Sequence, residues 1–217
     1  MRKESQIRGG LTLGTQGVPS QPPILWLLVI IDTNTIKASF PNPSQEQANP
    51  TAIGANMGFM LAPGLEVNSG KRTEALSIYA QMGCTVRASA TSGSDNFQDA
   101  VLLYDVARSS GTRVFSDFSY QGFTTSTVAP HSEEQPLPTQ VMIGAAETFW
   151  FHHATVIGTG TEDYILKFAL YTRDIKTGQP LLYGYFCREA EITVQGKDGE
   201  DDDHGSEKEE DEERTGR

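Results

Sequence analysis

The sequence predicts an all-β protein, an antiparallel β-sandwich or jelly-roll-like barrel of about eight strands with disordered termini. Three observations carry that prediction. The run Ile24–Ile31 is continuously apolar, residues 76–90 alternate apolar and polar with period two, and residues 164–187 read as two strands about a Thr-Gly turn. No alternation of strand and helix patterns accompanies them, so a parallel βαβ sheet is not expected. The folded domain is placed at residues 24–195, a size at which one core suffices without a disulfide or structural metal.

Taken in order, residues 1–23 hold four glycines and three prolines and show no sustained period, so they are expected to form a flexible arm. Ile24–Ile31 is too short for a membrane helix, which needs about 20 residues, and is read as a fully buried central strand. Residues 33–58, with Pro41, Pro43 and Pro50, are expected to form a long loop away from any central strand. In 76–90, Leu76, Ile78, Ala80, Met82, Cys84, Val86, Ala88 and Ala90 share one parity, giving one strand or two around Gly83; a short helix over 73–81 is the alternative. Strands follow at 100–107, 112–118 and 149–157, each bounded by turn-forming clusters. Tyr164, Leu166, Phe168 and Leu170 then share a face, 174–180 supplies the turn, 181–187 returns, and 192–194 is the last strand. Residues 196–217 are almost wholly charged and are expected to be a disordered acidic tail.

Charge narrows the function. The net charge is −11, but from Lys197 onward there are eleven acids against four bases, so only −4 belongs to the rest of the chain. No Lys/Arg stripe interleaved with aromatics exists, which argues against a nucleic-acid partner, and no membrane association is expected. Cys84 and Cys187 are too few and too far apart for a paired zinc motif or a disulfide framework, and a reducing compartment is expected.

Candidate ligand positions cluster after the first strand. Asp32 and Asn34 have the spacing that opens a calcium loop, yet Ile36 stands where the third oxygen is needed, and the later Gly and Glu do not follow. Their simpler role is to accept backbone N–H groups where the strand turns. Asn42, Ser44 and Gln45, with Gln47 and the nearby Phe40, offer amides, a hydroxyl and an apolar face that suit a sugar, although such residues are turn formers first. His152 and His153 are adjacent, point to opposite faces on a strand, and so cannot chelate one ion; no metal site is expected. Glu162-Asp163 are read as a solvated turn before a strand rather than an acid–base pair. Neither a Gly-x-Ser-x-Gly elbow nor a phosphate-cradling Gly-rich loop occurs. The expectation is a protein that is not an enzyme.

Four segments carry a resemblance: Val29-Ile30-Ile31-Asp32-Thr33 running into Pro41-Asn42-Pro43-Ser44-Gln45; Asn49-Pro50-Thr51; Asp99-Ala100-Val101 with Tyr104; and Gly160-Thr161-Glu162-Asp163-Tyr164 through Phe168-Ala169-Leu170-Tyr171 to Gly184-Tyr185. In order and spacing the chain resembles the PixA/AidA family of bacterial inclusion-body proteins. The resemblance implies a cytoplasmic, inducible, β-rich protein that accumulates, in some members as crystalline inclusions, and it implies no catalytic residue set. The Gly-rich arm and acidic tail depart from the family pattern. The leading expectation is therefore a non-catalytic protein acting through self-association, with no cofactor. The alternative is a lectin-like module in which the loop after Asp32 holds a glycan, with calcium as the ion it would recruit.

Overall fold

The computed structural model describes residues 24–62, 67–69, 75–130 and 141–196. The expected arm over 1–23 and, Gly196 apart, the expected tail over 196–217 lie outside the described residues.

Eleven strands form two sheets packed face to face: β1 (Ile24–Ile31), β2 (Thr51–Ala52), β3 (Gly58–Leu61), β4 (Val67–Ser69), β5 (Ala75–Tyr79), β6 (Thr85–Ser92), β7 (Asp99–Gly111), β8 (Ser119–Pro130), β9 (Val141–Thr155), β10 (Gly160–Arg173) and β11 (Pro180–Gln195). The first sheet runs β3-β1-β6-β9-β8; the second runs β4-β5-β11-β10-β7, with β2 also against β11. The architecture is an open sandwich, and the barrel alternative does not form. The sheets are mixed. After β1 the chain crosses to the second sheet as β2, returns as β3, crosses again as β4 and β5, and comes back as β6, so β6 lies parallel to β1. The same crossings set β2 and β5 parallel to β11.

The alternating residues predicted for the core do face it. Leu25, Leu27, Val29 and Ile31 of β1 meet Leu166, Phe168 and Leu170 of β10 and Phe186, Ile192 and Val194 of β11 in one buried cluster, where Phe168 stacks on Phe186 at 5.7 Å. β1 is central but not buried on both faces: Ile24 and Trp26 stay exposed on the outer side. An apolar run marks a buried strand only when both faces are covered, and here one is left open. The 76–90 segment is two strands, β5 and β6, joined by a turn in which Gly83 takes φ of 87°. The β10–β11 hairpin also stands where expected; the segments 181–187 and 192–194 prove to be one continuous β11.

Three further expectations fail. Residues 112–118 form no strand beyond a single bridge, Phe115 to Val156. They are held instead by Glu162, which sits inside β10 rather than in a solvated turn. Its buried carboxylate accepts from the Val114 and Phe115 amides at 2.8 and 3.2 Å, from the Tyr164 hydroxyl at 2.6 Å and from Arg108 Nε at 2.6 Å. The long loop expected over 33–58, away from any central strand, is broken by α1 (Thr33–Ser39), by a short 3-10 turn at Ala55–Met57 and by β2, which pairs with the interior strand β11 while Pro41, Pro43 and Pro50 stay outside the ladder.

Candidate functional site

Asp32 opens the site by ending β1. Its carboxylate caps α1, accepting from the Thr35 amide at 3.0 Å and the Thr35 hydroxyl at 2.7 Å, which is the standard way to satisfy free amides at a helix start. Those bonds hold the Asp32 carboxyl below its usual range. One turn on, Ile36 is wholly buried, so the position that would complete a calcium loop is a core anchor. On the far side, Asp99 at the start of β7 is 5% exposed. Its Oδ2 accepts from the Thr33 hydroxyl at 2.8 Å and from Lys37 Nζ at 2.6 Å, latching α1 to the second sheet. Between these two carboxylates lies a cavity of about 650 Å³, with Asp32, Asn34, Asn56 and Gln98 around it and Ile30 and Phe59 as its apolar wall.

Asn42, Ser44 and Gln45 do not join Asp32 and Asn34 in that cavity. Asn42 is exposed, while Ser44 and Gln45 lie against β11 and β2: Gln45 Nε2 donates to Tyr183 O at 2.8 Å, the Ser44 amide donates to Thr51 Oγ1, and Ser44 Oγ accepts from the Glu46 amide. Pro43 presses on Gly184 so closely that an added Cβ would meet its ring at 2.5 Å. Phe40, expected as a sugar platform, packs edge-on against Phe186 at 6.2 Å. The sequence-predicted set is thus divided between a cavity and a loop clamp.

A second feature has no counterpart in the sequence reading. β9 pairs with β6 only from His152 to Thr155, yet its pairing with β8 continues to Pro130 and Val141. Beyond the sheet the two strands form a ribbon of about ten residues each, roughly 33 Å long. Its outer face carries Phe123 opposite Phe149, 57% and 47% exposed. That face runs on into the outer face of β1, where Trp26 meets Phe151 edge-on at 5.6 Å and Arg87 lies 4.5 Å from the Phe151 ring centroid. On the inner face Trp150 stacks on Tyr120 at 5.3 Å and lies over Gly122, where an added Cβ would come within 2.6 Å of the indole.

The family of inclusion body proteins named PixA matches residues 24–194. The chain belongs to the PixA family. A crystal structure of the PixA inclusion body protein from Burkholderia cenocepacia J2315 is 30% identical, spans 82% of this chain and 99% of its own, and superposes with a TM-score of 0.66. No functionally curated protein matches.

Within this PixA domain the two adjacent histidines separate to opposite faces. His152 is buried and its Nε2 bonds Leu103 O at 3.2 Å, while His153 points to the opposite, half-buried side. Burial pushes the His152 pKa below the ordinary 6.5, so its neutral form is preferred in the fold. The unfolded chain therefore binds the extra proton first as pH falls, and stability declines below about pH 6.5. His152→Gln is expected to flatten that decline in thermal melts between pH 7 and 5. Both cysteines are free. Burial raises the Cys187 pKa, which disfavours its thiolate. Among the described residues no group of three potential ligands could hold a metal, and no helix is long and apolar enough to cross a membrane.

Proposed function

We propose that this PixA-family protein acts without catalysis, by associating with copies of itself through the outer face of the first sheet and the β8–β9 ribbon, and that it does so in a reducing bacterial cytoplasm. The observation that carries this reading is the set of exposed apolar side chains on this face, Ile24 and Trp26 on β1 and Phe123 and Phe149 on the ribbon, with Phe151 and Arg87 between them. Soluble monomers rarely leave such patches uncovered. An isolated two-stranded ribbon is marginal in water, so packing against another molecule would stabilise it. Residues 119–130 carry no charge and the paired 141–151 carry only Glu147, in a chain of net charge −11, which favours another such ribbon over a highly charged partner. The membership in an inclusion body family supports the same reading.

Sedimentation equilibrium across concentration tests it. The wild-type mass is expected to rise with concentration, and Phe149→Glu, at a position exposed in the single chain, is expected to weaken association at least about tenfold by burying a charge in the contact. A wild-type protein that stays monomeric at every concentration would overturn the proposal.

A further inference from the structure

We propose that the cavity between β1, α1 and the start of β7 binds a small uncharged polyol, of the size of a mono- or disaccharide, with Asp99 Oδ1 as its central acceptor. The inference is independent of self-association.

The observation behind it is an imbalance at Asp99. Its side chain is only 7% exposed, yet both of its side-chain bonds, from Thr33 and Lys37, go to Oδ2. Oδ1 takes no hydrogen bond among the described residues although Asp99 lines the cavity. Oδ1 is therefore open to the solvent of the cavity, where a ligand hydroxyl can take the place of water as its donor. The surroundings fix the ligand's chemistry. Asp32 presents a second carboxylate across the cavity and Asn34 and Asn56 present amides that bond no other described residue, so several hydroxyls can be met at once. Two carboxylates against one lysine repel phosphates and carboxylates. Lys37 already neutralises Asp99 at 2.6 Å, so the demand left at Oδ1 is for a neutral donor rather than a cation. Phe59 and Ile30 supply the apolar wall on which the C–H face of a sugar ring rests. The volume of about 650 Å³ accommodates a ligand of that size.

Ligand-observed NMR and calorimetry on the full chain, with a chelator present, would use the methyl glycosides of glucose, galactose, mannose, fucose and N-acetylglucosamine together with lactose and cellobiose. At least one is expected to bind saturably. Asp99→Asn reverses the hydrogen-bond sense: Lys37 and Thr33 keep the amide oxygen on their side and turn the amide nitrogen toward the ligand, so affinity should fall at least about tenfold. Gly93→Trp places a large side chain at the lining of the cavity, where nothing lies within 4 Å of an added Cβ; the fold should survive and affinity should fall at least about tenfold. Failure of every glycoside to bind overturns the proposal. Binding unchanged in both variants, or capture of putrescine or choline in place of the sugars, also overturns it.

Discussion

Glu162→Ala is expected to destabilise the domain by about 3–5 kcal/mol, lowering the melting temperature by roughly 10 °C. The reason lies in what the carboxylate leaves behind. Glu162 is fully buried, and its four donors differ in their recourse to water. Arg108, its side chain 46% exposed, can turn outward and resolvate. The Val114 and Phe115 amides and the Tyr164 hydroxyl belong to buried residues and have no such escape, and each stranded donor costs about 1–3 kcal/mol. The loss should also be local before it is global. Residues 112–118 have one bridge of their own, so hydrogen exchange at Val114 and Phe115 should accelerate more than in β10 or β11. Glu162→Gln keeps one acceptor and adds two donors, and should fall between wild type and Ala. A Glu162→Ala protein that melts within 2 °C of wild type would show that the linker is held by packing instead.

The same residue explains where sequence reasoning stops. Val114, Phe115 and Phe118 make 112–118 resemble a strand, but the aromatic rings pack on Tyr164 and the Val114 and Phe115 amides bond a side chain up to 48 positions on. That side-chain contact, and the isolated backbone bonds from Thr112 to Thr161 and from Ser116 to Thr155 beside it, have no local signature. β8 is illegible in the sequence for a different reason. A period of two records burial on one side of a strand, and 121–126 are exposed on both sides, so no alternation exists to be read. α1 was missed because seven residues are below the length at which helical periodicity shows. By contrast β5, β6 and the β10–β11 hairpin were legible because their inward residues bury against the opposite sheet and their outward ones do not. Of the candidate site, Asp32 was legible as a strand-ending cap. Asp99 was not, since the topology brings it to Thr33 across 66 residues.

That long-range latch gives the second large effect. Asp99→Ala is expected to cost about 2–3 kcal/mol, because it strands the buried Thr33 hydroxyl and removes the partner of Lys37. The lysine is 31% exposed on its side chain and recovers part of its hydration, which keeps the figure below that for Glu162. α1 is too short to persist alone. Its remaining ties are the Asp32 cap, the burial of Ile36 and the bonds from Tyr183 Oη to the Lys37 and Phe40 carbonyls. Exchange of the α1 amides should therefore rise selectively, with β6 and β11 protected as before. Lys37→Met separates the two contributions: it removes the charge partner and spares Thr33, so it should cost less than Asp99→Ala. Equal costs for the two would mean that the ion pair alone, rather than the shared Oδ2, fixes the helix. In that case the one-sided bonding at Asp99 would reflect the reach of the lysine, and Oδ1 would face the cavity only because Lys37 draws the other oxygen away.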